Sequence, residues 1–178
     1  MPQKNPNADL FRFCPSCGKQ MLKPESVKSF QCKACGFLFF INCASAAIAV
    51  ILDDKDRVLT TIRAHDPGKG TLDLPGGFSE PGEGIEEALT REIKEELNLD
   101  VTSVRYLCSF ANTYPYKKVT YPITDMAFVC KVKTFDTITA MDDVAGFKFL
   151  ALNTLDISAF GMESARKTLS FLKRDQSV

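Results

Sequence analysis

LPGGFSEPGEGIEEALTREIKEELNL, residues 74–99, opens on glycines and prolines and closes on helical periodicity. Leu89, Ile93 and Leu97 recur at helical spacing and form an apolar stripe that can dock on a core. Glu92, Glu95 and Glu96 stand at i, i+3 and i+4, which places them on one arc of about 100° of a helix. Like charges at i,i+4 cost a helix about 0.2–0.5 kcal/mol per pair, so the acidic arc calls for an offsetting partner. A hard divalent cation such as Mg²⁺ meets that need, because it prefers carboxylate oxygens and can bridge to phosphate. For a Glu-rich helix standing alone, a solvated face is the plainer reading.

These glutamates do not stand alone. Gly77 is followed six positions later by Glu83, then by Arg91-Glu92-Ile93-x-Glu95-Glu96-x-x-Leu99. Over these 23 residues the chain resembles the Nudix box, with Asn98 where that family has glycine. The position suits a left-handed residue at a helix C-terminus, where Asn is the next-best type after Gly. The resemblance implies an α/β fold, a Nudix-like α/β/α sandwich with a mixed sheet, and hydrolysis of a nucleoside diphosphate linked to another moiety. It implies Mg²⁺ (or Mn²⁺) held by Glu92, Glu95 and Glu96, with the Gly76 carbonyl as a further ligand. Arg91, beside the acidic arc, is expected to pair with Glu83 and orient the carboxylates. The general base is to be sought on a more mobile segment or among the less tightly bound glutamates.

A second motif lies upstream. Cys14, Cys17, Cys32 and Cys35 follow the spacing Cys-x2-Cys-x14-Cys-x2-Cys, and Gly18 and Gly36 follow the second cysteine of each pair. The spacing fits a four-thiolate zinc site, and glycine admits the positive φ that such a turn needs. The segment resembles a zinc ribbon. About thirty residues cannot bury a core of their own, so structural Zn²⁺ supplies most of the folding free energy. Four ligands leave no open position for catalysis. Cys43, Cys108 and Cys130 lie in apolar surroundings and read as small buried hydrophobes.

The chain has 178 residues and no net charge, so no overall field draws it to nucleic acid or an anionic membrane. Residues 1–35 are nevertheless basic, with Lys4, Arg12, Lys19, Lys23, Lys28 and Lys33 against Asp9 and Glu25. The start of the chain shows no apolar signal segment, and no run is long enough to span a bilayer. With four cysteines in paired spacing, the cytoplasm is the expected location and metal is favoured over disulfides. Neither a membrane nor a nucleic acid is expected as a partner; a homodimer is compatible with the ribbon and the second hairpin.

Taken in order, residues 1–10 read as a flexible leader, 11–41 as the ribbon and 42–178 as the hydrolase domain. Ala46–Leu52 is a buried strand, joined through Asp53–Asp56 to a second strand over Arg57–Arg63 as a hairpin. Residues 65–70 form a loop carrying His65, the only histidine, read as a surface residue. Further strands are expected over Thr71–Leu74, Thr102–Ala111, Thr124–Lys133 and Phe147–Leu152, and an amphipathic helix over Leu155–Leu172. Between the fourth and fifth of these six strands lies an aromatic and basic loop, residues 112–122. Its Tyr114, Pro115, Tyr116 and Tyr121 either pack on the sheet or stack on a base or ribose.

A ribbon ahead of a Nudix domain resembles the NADH pyrophosphatase group. That group has a further N-terminal domain and a Trp-containing signature downstream of the box, whereas this chain has no Trp and its nearest text is Ser109 to Tyr116. Pro115, sixteen positions past Leu99, is similar to the marker position of ADP-ribose pyrophosphatases. An ADP-ribose-like substrate is therefore favoured and NADH comes second. Dinucleoside polyphosphates and damaged dNTPs are further alternatives. A non-enzyme reading is a sensor of an ADP-ribose-type ligand with a nucleic-acid-binding ribbon, and the intact glutamates count against it.

Overall fold

The computed structural model describes residues 4–174. Two compact units emerge: residues 1–44 with 113–123, and residues 45–112 with 124–178. The first is thus assembled from two separate stretches, where the sequence reading expects a contiguous ribbon.

In the first unit, β1 (Leu22–Pro24), β2 (Ser29–Cys32) and β3 (Leu38–Phe40) form an antiparallel sheet in that order. Its core is small: Cys14, Leu22, Phe30, Cys32 and Ile41, with Phe11 and Phe39 packed against it. The Phe11 ring meets Phe30 edge-on at 5.4 Å. Residues 5–10 do not hang free as a leader. Asn5 and Asn7 are buried, and each bonds main-chain groups of its unit.

The second unit is organised on β4 (Ala44–Ile51), which has helices over both faces. Side chains alternate across a strand. Ile48 and Val50 enter one core with Phe160, Ala165, Leu169 and Leu172; Ala47, Ala49 and Ile51 enter the other with Leu89, Ile93 and Leu97. The second set belongs to α1 (Ile85–Leu97), and Ala165, Leu169 and Leu172 belong to α2 (Glu163–Arg174). One continuous apolar run therefore serves two helices, which gives the α/β/α layering.

β4 and β5 (Arg57–Arg63) share one bridge, Leu52 to Val58, and then part. β4 joins a sheet ordered β4-β8-β7, with β7 over Val101–Tyr116 and β8 over Val119–Val132. β5 lies between β6 (Leu72–Asp73) and β9 (Val144–Ala151). The expected regular hairpin is thus a corner between sheets. It is held by the Asp53 carboxylate, which accepts from the Lys55 and Arg57 N–H groups and from the Arg57 guanidinium.

Two other expectations change. Residues 112–122 are not a loop: β7 and β8 run on through them to a two-residue turn, Lys117-Lys118, both at positive φ. The C-terminal helix is shorter than expected, a 3-10 turn over Ile157–Ala159 preceding α2. Between them Phe160 bridges Leu72 and the Gly161 N–H donates to the Leu72 carbonyl, which takes the chain off a helical path. A Cβ on Gly161 would collide with the Thr71 hydroxyl.

Asn98 closes α1 at φ +53° and ψ +33°, the left-handed conformation expected from the sequence. Its side-chain amide also donates to the Thr137 carbonyl. Asn98→Ala is expected to cost about 1–2 kcal/mol, from strain plus the lost hydrogen bond, read as a lower urea midpoint at unchanged m-value.

Candidate active site

The glycine-rich approach to α1 is stitched to the edge of β4. Ala49 N–H donates to the Pro75 carbonyl and Ala47 N–H to that of Gly77, both at 2.8 Å, and Ser79 N–H donates to Ser45 at 3.0 Å. Gly76 sits at φ +138°, and a Cβ there would run into the Ala47 carbonyl. At Gly77 a Cβ would take the space of the Glu92 carboxylate. The two glycines thus answer different demands, one set by backbone and one by the Glu92 side chain. Further along, the Gly84 N–H donates to Glu87, which fixes the first turn of the helix.

Arg91 uses all five of its N–H groups. It grips Glu83 in bidentate fashion at 2.7 and 3.0 Å, reaches Glu92 and Glu95 at 2.9 Å each, and donates to the Phe78 carbonyl at 3.0 Å. The Glu83 carboxyl is held down to about 2 by Arg91 and by the Glu80 N–H. Glu92 moves the other way. Half-burial raises it, and the charges of Glu95 and Asp142 add to that against the pull of Arg91.

Glu96 is the most enclosed of the set, 9% exposed on the core side of α1. Its one bond here is from the Gly76 N–H at 3.0 Å. Burial pushes its carboxyl up to about 8, and the charges of Glu92, Asp73 and Asp143 push the same way. Among the described residues, only the four cysteines converge tightly enough to enclose a metal ion without rearrangement. The three glutamates are drawn apart, two toward Arg91 and one toward Gly76. Their donor set is nonetheless hard oxygen, crowded with like charge, which is what a divalent cation relieves.

Glu83, Arg91, Glu92, Glu95, Glu96 and Gly76 therefore come together. Tyr114, Pro115, Tyr116 and Tyr121 do not join them within that unit; they belong to the hairpin tip of the first unit. There the Tyr114 and Tyr116 rings stack at 6.4 Å, and the Lys117 ammonium lies 5.2 Å over the Tyr116 ring. The sequence reading also passed over Asp73, Asp142 and Asp143. Asp73 is paired to Arg63 at 2.7 Å, with burial raising its carboxyl. The loop before β9 brings the other two beside α1 by capping it: Thr139 and Met141 donate to the carbonyls of Leu97 and Glu96. Asp73 directly precedes the opening stretch, but nothing local marks the aspartate doublet. His65 is exposed, 3.7 Å from Asp143, in keeping with a surface role.

The cysteine site is closed. Sγ atoms of Cys14 and Cys35 lie 3.8 Å apart and those of Cys17 and Cys32 3.7 Å, all four within 4.8 Å of one another. A tetrahedron with metal–sulfur bonds of about 2.3 Å has edges of about 3.8 Å, so the donors fit zinc. Burial alone would raise the Cys32 thiol, yet the N–H groups of Ala34 and Cys35 bring it down to about 7.

A family model described as the NUDIX domain matches residues 44–170. The chain is 30% identical over 116 residues to the NAD-capped RNA hydrolase NudC of Vibrio atlanticus, covering 65% of this chain and 42% of that one. With the NudC of a Pseudomonas putida strain it shares 24% over 155 residues, 87% of this chain and 53% of that one. The chain thus spans about half or less of the length of these relatives. Among solved structures, a Nudix hydrolase from Nitrosomonas europaea superposes with a TM-score of 0.69 at 20% identity, covering 92% of each chain. The Nudix domain of Shewanella oneidensis NrtR, complexed with ADP ribose, gives 0.60 at 18% identity over 76% of this chain and 89% of that one. At these identities the structures speak for the fold alone.

Gly76→Ala is expected to destabilise the chain by more than about 2 kcal/mol in urea unfolding, since a left-region backbone and a main-chain collision act together. Between the ordinary carboxylate value and about 8, Glu96 holds a proton in the folded chain that the unfolded chain has released. Stability is therefore lost as pH rises through that window. The melting temperature of zinc-loaded protein in Mg²⁺-free buffer is expected to fall from about pH 5 to about pH 8, and Glu96→Gln to flatten the slope.

Proposed function

Because the chain belongs to the Nudix family, we propose that it is a pyrophosphohydrolase that cleaves the diphosphate of a nucleoside diphosphate linked to another moiety, with an ADP-ribose-like compound favoured. The observation that carries this reading is the cluster of Glu92, Glu95 and Glu96 beside Arg91, on a helix whose glycine approach leaves space for Glu92 and aims an N–H at Glu96. Mg²⁺ (or Mn²⁺) held by these glutamates and the Gly76 carbonyl would offset the charge of the diphosphate and acidify an attacking water. Arg91, anchored by Glu83, holds Glu92 and Glu95 beside Glu96. The hold on Glu83 would keep the guanidinium in place were the other two carboxylates to ligate a cation. Tyr114, Pro115, Tyr116 and Tyr121 supply stacking surface for the base or ribose.

Zn²⁺ on Cys14, Cys17, Cys32 and Cys35 is structural in this reading. The cytoplasm is the setting proposed for the chain. No helix among the described residues is long and apolar enough to cross a membrane. NADH or an NAD-capped end is the second reading, favoured by the similarity to proteins named NAD-capped RNA hydrolases. That similarity also keeps a nucleic acid among the substrates to be tested.

A panel of ADP-ribose, NADH, an NAD-capped oligonucleotide, dinucleoside tetraphosphate and 8-oxo-dGTP with Mg²⁺, read by product analysis, tests the assignment. ADP-ribose is expected to give the highest kcat/KM, with AMP as a product. Glu92→Ala and Glu96→Ala are each expected to lower kcat by at least about 10²-fold. Gly77→Ala is expected to keep the fold and weaken activity by displacing Glu92. Wild-type rates from Glu96→Ala would refute the assignment.

A further inference from the structure

The tip of the β7–β8 hairpin is a two-strand ribbon, a structure that is marginal by itself in water. One buried side chain bonds its edge at both main-chain groups of a single residue. The Asn7 amide donates to the Thr120 carbonyl at 2.9 Å, and the Thr120 N–H donates to the Asn7 Oδ1 at 2.8 Å. Asn7 is 2% exposed. Among side chains, only a carboxamide offers a donor and an acceptor side by side, so Asn7 pairs with Thr120 much as a neighbouring strand would.

Asn7 is itself held. Its N–H donates to Asn5 Oδ1 at 2.9 Å, and the Asn5 amide donates to the Ser26 carbonyl at 2.8 Å and to that of Ser29 at 3.5 Å. Ser29 opens β2, and Cys32 closes it. A short chain of bonded groups thus runs from the cysteine site through β2, Asn5 and Asn7 to Thr120. The Cys14–Cys35 and Cys17–Cys32 sulfur pairs, at 3.8 and 3.7 Å, match the edge of a zinc tetrahedron, and all four sulfurs lie within 4.8 Å of one another. A ribbon of this size folds only when its thiolates are ligated.

We propose that Asn7, supported by Asn5, is a positioning residue that couples metal loading of the cysteine site to the conformation of the hairpin tip, and through it to substrate affinity. The coupling stands on the bonds above; its effect on affinity rests on the reading that Tyr114, Tyr116 and Tyr121 contact the substrate. The two-state element is the ribbon, folded with metal and unfolded without it. Chemistry at the glutamates is not part of this path, so the effect falls on KM rather than kcat.

Hydrogen exchange on the full chain, read at the Thr120 amide and across 113–123, tests the coupling without reference to activity. In Asn7→Ala and in chelator-treated wild type, exchange there is expected to quicken about tenfold or more. Asn7→Ala is expected to retain its zinc, measured by metal analysis, and its KM to rise about tenfold at unchanged kcat. Asn7→Asp, which sets a carboxylate against the Thr120 carbonyl, is expected to match it. Unaltered Thr120 protection after chelation, with zinc shown to be lost, would overturn the coupling. Lost protection with KM unchanged would keep the clamp and overturn the substrate role of the tyrosines.

Discussion

Glu96 is a carboxylate out of water, held by one backbone N–H and facing three other acids. A buried acid in that company stays protonated unless positive charge comes to it. Much of the second unit serves to keep it there. Gly76 takes a conformation closed to other residues so that its N–H meets the carboxylate, and that conformation is fixed by bonds from Ala47 and Ala49 on β4. The small side chains of those alanines face α1, whose Leu89, Ile93 and Leu97 fill the same core. Strand, glycine turn and helix thus form one mutually dependent arrangement around a single unfavourable group.

Arg91 is the counterweight. A guanidinium with every N–H engaged cannot be replaced by lysine, which lacks the planar fork. Its bidentate hold on Glu83 anchors it, and its bonds to Glu92 and Glu95 keep two more carboxylates from repelling each other outright. The two groups of acids differ in consequence. Glu83 is tuned toward permanent charge and Glu96 toward a proton, although both are glutamates within one stretch of sequence.

The core of this arrangement was legible because it is local. Gly77, Glu83, Arg91 and the three glutamates keep a fixed spacing, and a helix converts spacing into a shared face. The left-handed Asn98 was legible for the same reason. Asp142 and Asp143 were not, since their place depends on a loop that caps α1 from another part of the chain. The hairpin tip is not legible in this way, since Pro115 and Pro122 lie within β7 and β8 although proline cannot donate to a strand ladder. The turn at Lys117-Lys118 also takes positive φ without the Asn-Gly or Asp-Gly signal that usually marks it. The break at Phe160-Gly161 came from Thr71 and Leu72, ninety residues upstream. Periodicity carries no trace of such contacts.

The first unit is discontinuous in sequence, and this bears on how the chain can be divided or recombined. A fragment ending at residue 44 retains every cysteine ligand but leaves the Asn7 side chain without Thr120. A fragment starting at 45 keeps the tip with the edge of Thr120 uncovered. An open strand edge of that kind invites pairing with another chain. The ribbon therefore cannot be exchanged as a cassette. In any chimera, residues 113–123 belong with the N-terminus although they lie inside the stretch that carries the box.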